Sequence, residues 1–254
     1  MKILKNISVA FSMYSRIPMP KFNWNSQDMK YHLIFFPWIG IVIGLLEYAW
    51  RLFYRYFWAN PIANVAIALA IPIIITGGFH IDGFMDTCDA RASLGDRDKK
   101  LDILKDSHVG AFAIIKLALL GLLFAAGLSM IYNEMAFLAF VFSFFLSRCL
   151  SGIAVVSFPN AREDGILKTE KDTAEKNTVR TWLIVETIIG LLLMVMLGKY
   201  YAIGGIFACL ISFLYYKNMA NKEFGGITGD LAGWFVCICE MTCALVIGIT
   251  NMIH

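Results

Sequence analysis

The stretch Gly77-Gly78-Phe79-His80-Ile81-Asp82-Gly83-Phe84-Met85-Asp86-Thr87-Cys88-Asp89-Ala90-Arg91 holds carboxylates at positions i, i+4 and i+7. On a helix that spacing puts Asp82, Asp86 and Asp89 on one face. Three like charges side by side repel, and a bound cation relieves them. Carboxylate oxygens suit Mg²⁺ or Mn²⁺. The rival reading is a solvated polar helix with an accidental acidic stripe. The stripe's neighbours are Phe79, Ile81, Phe84 and Met85 and not balancing bases, which argues against it. That rival does suit Asp96, Asp98 and Asp102, which alternate with Arg97, Lys99 and Lys100 as exposed mixed-charge faces do.

Further polar groups cluster nearby in sequence. Asp106, in Lys105-Asp106-Ser107-His108-Val109-Gly110, either completes a four-carboxylate site or caps the next helix. His80 is a general base or bonds a loop carbonyl. Asn160-Ala161-Arg162-Glu163-Asp164-Gly165 and Gly225-Gly226-Ile227-Thr228-Gly229-Asp230 are glycine-bearing loops, able to approach a phosphate or to form plain turns. Arg148 and Glu240 stand inside apolar runs, where charge is expensive and a functional suspect. They pair with each other, or one lines a substrate cavity. Glu47 and Glu186 are weaker suspects of the same kind. Aspartates, a divalent cation and the bases Arg91, Lys105 and Arg162 fit phosphoryl or phosphodiester transfer from a nucleotide diphosphate.

These groups must be positioned by a membrane scaffold. Of 254 residues, 59% are apolar and 16% are charged, against ~25% charged in a soluble domain. That excludes a disordered chain, a secreted disulfide scaffold and an ordinary soluble enzyme. The pattern predicts an all-α, polytopic membrane helix bundle forming one domain over 1–254. About seven transmembrane helices are expected, at 33–57, 61–79, 110–132, 135–158, 180–198, 200–216 and 231–250. Residues 1–20 are too few and too polar to span and read as an interfacial helix ending at Ile17-Pro18-Met19-Pro20. Met1 to Arg16, with no long apolar core before a small-residue cleavage site, does not read as a cleaved signal peptide. The cysteines at 149, 209, 237, 239 and 243 lie in apolar runs and read as small hydrophobes. With seven spans, 17 of the 22 Lys and Arg fall on the face of the N-terminus and of the segments 80–109, 159–179 and 217–230. The positive-inside rule makes those catalytic loops and the N-terminus cytoplasmic and the C-terminus external.

The chain also resembles the cobalamin synthases, or adenosylcobinamide-GDP ribazoletransferases. The resemblance rests on 77–89 and 105–110, on Ser15-Arg16-Ile17-Pro18-Met19-Pro20, Phe36-Pro37-Trp38-Ile39-Gly40 and Ser147-Arg148. It continues in Phe158-Pro159-Asn160-Ala161-Arg162 with Gly165, in 225–230 and in Glu240, in order along nearly the whole chain. It implies a Mg²⁺-dependent enzyme of the prokaryotic cytoplasmic membrane. That enzyme joins adenosylcobinamide-GDP to α-ribazole, or to its 5′-phosphate, and releases GMP. Asp82, Asp86, Asp89 and Asp106 would hold Mg²⁺. His80, Asp82, Asp86 and Asp106 would be catalytic. Arg91, Lys105, Ser107, Arg148, Arg162, Thr228, Asp230 and Glu240 would bind substrate. The implied partners are the two substrates and the lipid bilayer, with no nucleic acid; a homo-oligomer is compatible with it. Phe84-Met85 and Cys88 replace smaller residues of the family pattern, which bears on substrate preference. Two rival functions remain. Asp86, Asp89, Ala90 and Arg91 imitate part of the D-x-x-D-G-x-x-A-R signature of CDP-alcohol phosphotransferases, which act on lipids. A transporter would use Glu47, Arg148, Glu186 and Glu240 as an ion path.

Overall fold

The computed structural model describes residues 2–20, 26–57, 60–106, 108–162 and 166–253. Ser107 and the segment 163–165 lie outside the described residues. Among the described residues, eleven α-helices follow in order: α1 Lys2–Tyr14, α2 Phe36–Phe57, α3 Pro61–Thr76, α4 Phe79–Ala92, α5 Arg97–Ile103, α6 Ala111–Ser129, α7 Glu134–Ser157, α8 Ile166–Thr173, α9 Lys176–Gly198, α10 Tyr201–Met219 and α11 Gly229–Ile253. No strand is present among the described residues; one isolated bridge joins Asn160 to Ile227.

Six helical stretches are long and apolar enough to cross a membrane, and a seventh span is formed if α3 and α4 count as one broken element. The break is local chemistry. Gly77 and Gly78 both take positive φ, at 67° and 81°, a region open to glycine at little cost. The chain therefore stops α3 at Thr76 and sends α4 off at 95°. α4 carries His80, three aspartates and Arg91 among its 14 residues, and only its first residue, Phe79, falls within the predicted span 61–79. α3 ends at Thr76, where the sequence predicts a span reaching 79.

Helix ends differ elsewhere for a related reason. The predicted span at 180–198 starts at Lys176, and α10 runs on through a π turn, Ala220–Phe224, into the predicted loop 217–230. Hydropathy marks the apolar part of a helix, whereas backbone hydrogen bonding continues through its polar ends.

Among the candidate spans, α7 and α11 are the most enclosed and α6 and α9 the least. Ile114, Ile115 and Leu122 on α6 and Ile188, Leu192 and Met196 on α9 point outward. Such continuous apolar exposure suits lipid and not water. Between α7 and α11, Arg148 Nη1 donates to Glu240 Oε1 at 2.7 Å and to the Phe144 carbonyl at 2.7 Å, while Ser147 Oγ donates to Glu240 at 3.1 Å. Cys209 on α10 joins Cys239 and Cys243 on α11 in a buried group, with sulfurs 3.5 and 3.8 Å apart.

Candidate active site

At about 100° per residue, Asp82, Asp86 and Asp89 fall within about 60° of one another around α4. His80, Phe84, Thr87 and Ala90 form the opposite, buried face. The helix docks on the first turn of α11 through Gly83. A Cβ at Gly83 would stand 2.8 Å from both the Asp230 Cα and its carbonyl oxygen. This close approach brings a fourth carboxylate, Asp230, from a distant part of the chain to the stripe. Burial, then the charges of Asp82, Asp230 and Asp89, push the Asp86 carboxyl up to about 6.

The four-carboxylate set implied at the sequence level is not gathered as one ring. Asp89 accepts from Gly110 N at 2.6 Å and Ala113 N at 2.8 Å, so it caps α6. Asp106, the sequence candidate for that cap, is exposed and turns onto its own neighbour. It accepts from His108 N at 3.0 Å and meets the ring Nδ1 at 2.6 Å. Among the described residues, no three of these carboxylates bring ligand atoms within 4.8 Å of one another. Mg²⁺ commonly takes one or two carboxylates and completes its octahedron with water and phosphate oxygens. The charges of Asp82, Asp86 and Asp230 act on one another, and their repulsion fits such an ion.

The basic residues are engaged. Arg91 Nε and Nη2 donate to Glu223 at 3.2 and 3.0 Å, and Nη2 also donates to Tyr215 Oη at 3.0 Å. Lys100 joins the same carboxylate at 3.2 Å. Arg91 thereby ties α4 to the end of α10. Arg162 Nη2 donates to the Leu101 carbonyl, and its charge reaches Asp230. Lys105 stands in the turn after α5, where its N–H donates to Asp102 O at 2.9 Å. Thr228 Oγ1 accepts from Leu231 N at 3.2 Å and donates to Asp230 Oδ2 at 3.4 Å, capping α11 and steadying the carboxylate. The loops that carry these groups are stitched together: Ile227 N donates to Pro159 O, and Ala161 N to Ile227 O, each at 2.9 Å. Of the two alternatives for Arg148 and Glu240, the structure shows the pairing, with both side chains buried in the interior. Glu47 has neither oxygen hydrogen-bonded among the described residues, while Glu186 accepts from Trp38 Nε1 at 3.0 Å.

Two spaces flank the aspartates. One is a partly open, mostly apolar cavity of about 250 Å³ beneath α1, α8 and the start of α11, with Tyr14, Phe36, His80, Arg162, Glu170 and Asp230 in its wall. The other is an open, more polar cleft of about 530 Å³, lined by Arg16, the Thr76-Gly77-Gly78 turn and Asp82. Phe79 and Met13 belong to both walls. His80 is buried, and burial, then the Arg148 charge, hold its ring neutral. Sequence reading missed Tyr14 and Glu170. Glu170 looks like one more charge in a mixed loop, yet it is buried and hydrogen-bonds Tyr14. Its burial raises its carboxyl to about 7. Nothing in a linear pattern separates it from its solvated neighbours.

The profile of the cobalamin-5-phosphate synthase family matches residues 6–248. An adenosylcobinamide-GDP ribazoletransferase of Lachnoclostridium phytofermentans is 37% identical over 251 residues, covering 99% of this chain and 96% of that protein. Its counterpart in Clostridium perfringens strain SM101 is 35% identical, covering 98% of this chain and all of that protein. One from Desulfitobacterium hafniense is 30% identical over 95% of both. No solved structure matches the chain.

Proposed function

The chain belongs to the cobalamin-5-phosphate synthase family, and from that premise we propose that it moves the adenosylcobinamide-phosphate group of adenosylcobinamide-GDP onto α-ribazole or its 5′-phosphate. The observation that carries the reading is that Asp82 lines the open cleft, Asp230 lines the neighbouring cavity, and Asp86 feels the charge of both. A two-substrate transfer needs both substrates to converge on one charged point.

In this reading the ribazole 3′-hydroxyl oxygen bonds the cobinamide-linked phosphorus, and the bond from that phosphorus to the bridging oxygen breaks. The electron pair leaves with GMP. Asp230 takes the hydroxyl proton, since it faces the cavity and is electrostatically tied to the stripe. Asp82 and Asp86 would hold Mg²⁺, which when bound neutralises diphosphate charge. Arg162 sets the charge felt by Asp230. Arg16, at the cleft, faces the diphosphate side. Asp89 works by holding α6 against α4. The N-terminus and the loops around the site lie on the cytoplasmic side, as the basic-residue bias requires.

Purified protein in detergent or liposomes would be given adenosylcobinamide-GDP and α-ribazole with Mg²⁺ or EDTA, and GMP and corrinoid product counted by mass spectrometry. Equimolar, Mg²⁺-dependent products are expected. Turnover only of a CDP-linked substrate would overturn the reading.

A further inference from the structure

We propose that the cavity beneath α1 and α8 is the acceptor nucleoside site, holding a planar heteroaromatic base against an aromatic wall and its polar edge through His80, Asn160 and Arg162. This rests on the transfer reaction proposed above.

Three buried polar atoms carry the inference. His80 Nε2, Asn160 Oδ1 and Arg162 Nε have no hydrogen-bond partner among the described residues, and all three residues line this one cavity. An unpaired buried polar atom costs on the order of 1–3 kcal/mol, so three around a single space mark a place where a ligand supplies the partners. Their chemistry is mixed. Arg162 Nε donates, Asn160 Oδ1 accepts, and a neutral His80 ring does either according to its tautomer. Ribose hydroxyls and ring nitrogens answer such a set, whereas a polyphosphate would require donors throughout.

The walls narrow the class further. Tyr14 lies 4.5 Å from Phe36 and 6.1 Å from Phe79, ring centre to ring centre, and His80 lies 5.8 and 5.7 Å from the same two rings. Flat aromatic surfaces favour a stacked planar base. The cavity is smaller than the neighbouring cleft, about 250 Å³ against about 530 Å³, and Asp230 stands in its wall. A nucleoside seated there presents its ribose to the reacting phosphate. The larger donor is left to the open cleft on the other side of Phe79.

The test uses the full-length protein in detergent with saturating Mg²⁺. KM for α-ribazole and for adenosylcobinamide-GDP would be measured separately in wild type, Asn160→Ala and Val155→Phe, the last narrowing the cavity wall. The expected result is a rise of about tenfold or more in the acceptor KM, with donor KM within about twofold. An unchanged acceptor KM, or a rise confined to the donor, would overturn the assignment. Wild type that makes no product would instead sink the proposed reaction. Photocrosslinking wild type with a diazirine-bearing α-ribazole needs no variant to fold. Label on 151–162 or 227–233 supports the site; label confined to the cleft residues 76–78 and 81–85 overturns it.

Discussion

Asp82 and Asp89 sit on the same face of one helix, yet their surroundings set different tasks. Asp82 is exposed at the open cleft, whereas both oxygens of Asp89 are spent on the first turn of α6. Asp82→Asn should lower transfer by about 100-fold or more while leaving the unfolding midpoint in place. Asp89→Ala should also destabilise the fold by about 1 kcal/mol, the usual worth of a cap. GMP release and thermal unfolding, measured on both variants, separate the two roles. Glu170 gives a pH prediction. Its carboxyl is raised to about 7 by burial, so the folded state holds a proton that the unfolded chain releases near its ordinary value. Stability therefore falls as pH rises from about 4.5 to 7 and stays reduced above it. Wild type should lose about 1–3 kcal/mol between pH 5 and 8 from this group. Glu170→Gln should flatten that slope, and an identical slope in both proteins would refute the assignment. The sequence displayed the aspartate stripe because i, i+4 and i+7 are adjacent on any helix. It could not show Glu170, because burial is decided by where α8 lands.

The contact between α4 and α11 depends on one missing side chain. At Gly83 even a methyl group would press on the Asp230 backbone, which cannot give as a flexible side chain can. Gly83→Ala should push the helices apart, separate Asp230 from Asp86 and reduce turnover more than it reduces thermal stability. The α7–α11 contact depends on Arg148 and Glu240, both buried. Arg148→Met alone leaves a buried carboxylate with no countercharge, only the Ser147 hydroxyl beside it, and should cost about 3–5 kcal/mol. The double change Arg148→Met with Glu240→Met should recover part of that loss. A double variant less stable than the single would show that the pair does not act as a unit. The composition announced both charges as exceptional, and their meeting became visible only once the register of α7 against α11 was set.

For the whole chain, the basic residues predict direction. A reporter fused at the C-terminus should be active only when it functions outside the cytoplasm, and a fluorescent protein there should stay dark. The opposite pattern would invert the assigned sides. The linear sequence by itself determined the membrane class, the approximate spans and the acidic helix face, because each rests on composition or on periodicity along one segment. It did not determine that Asp230, rather than Asp106, joins Asp82 and Asp86. Nor did it show that Asp89 is a cap or that a cavity with three unpartnered polar atoms lies behind the stripe. Those outcomes depend on contacts between segments up to about 150 residues apart, and such contacts are set by packing, the 95° turn at Gly77-Gly78 above all.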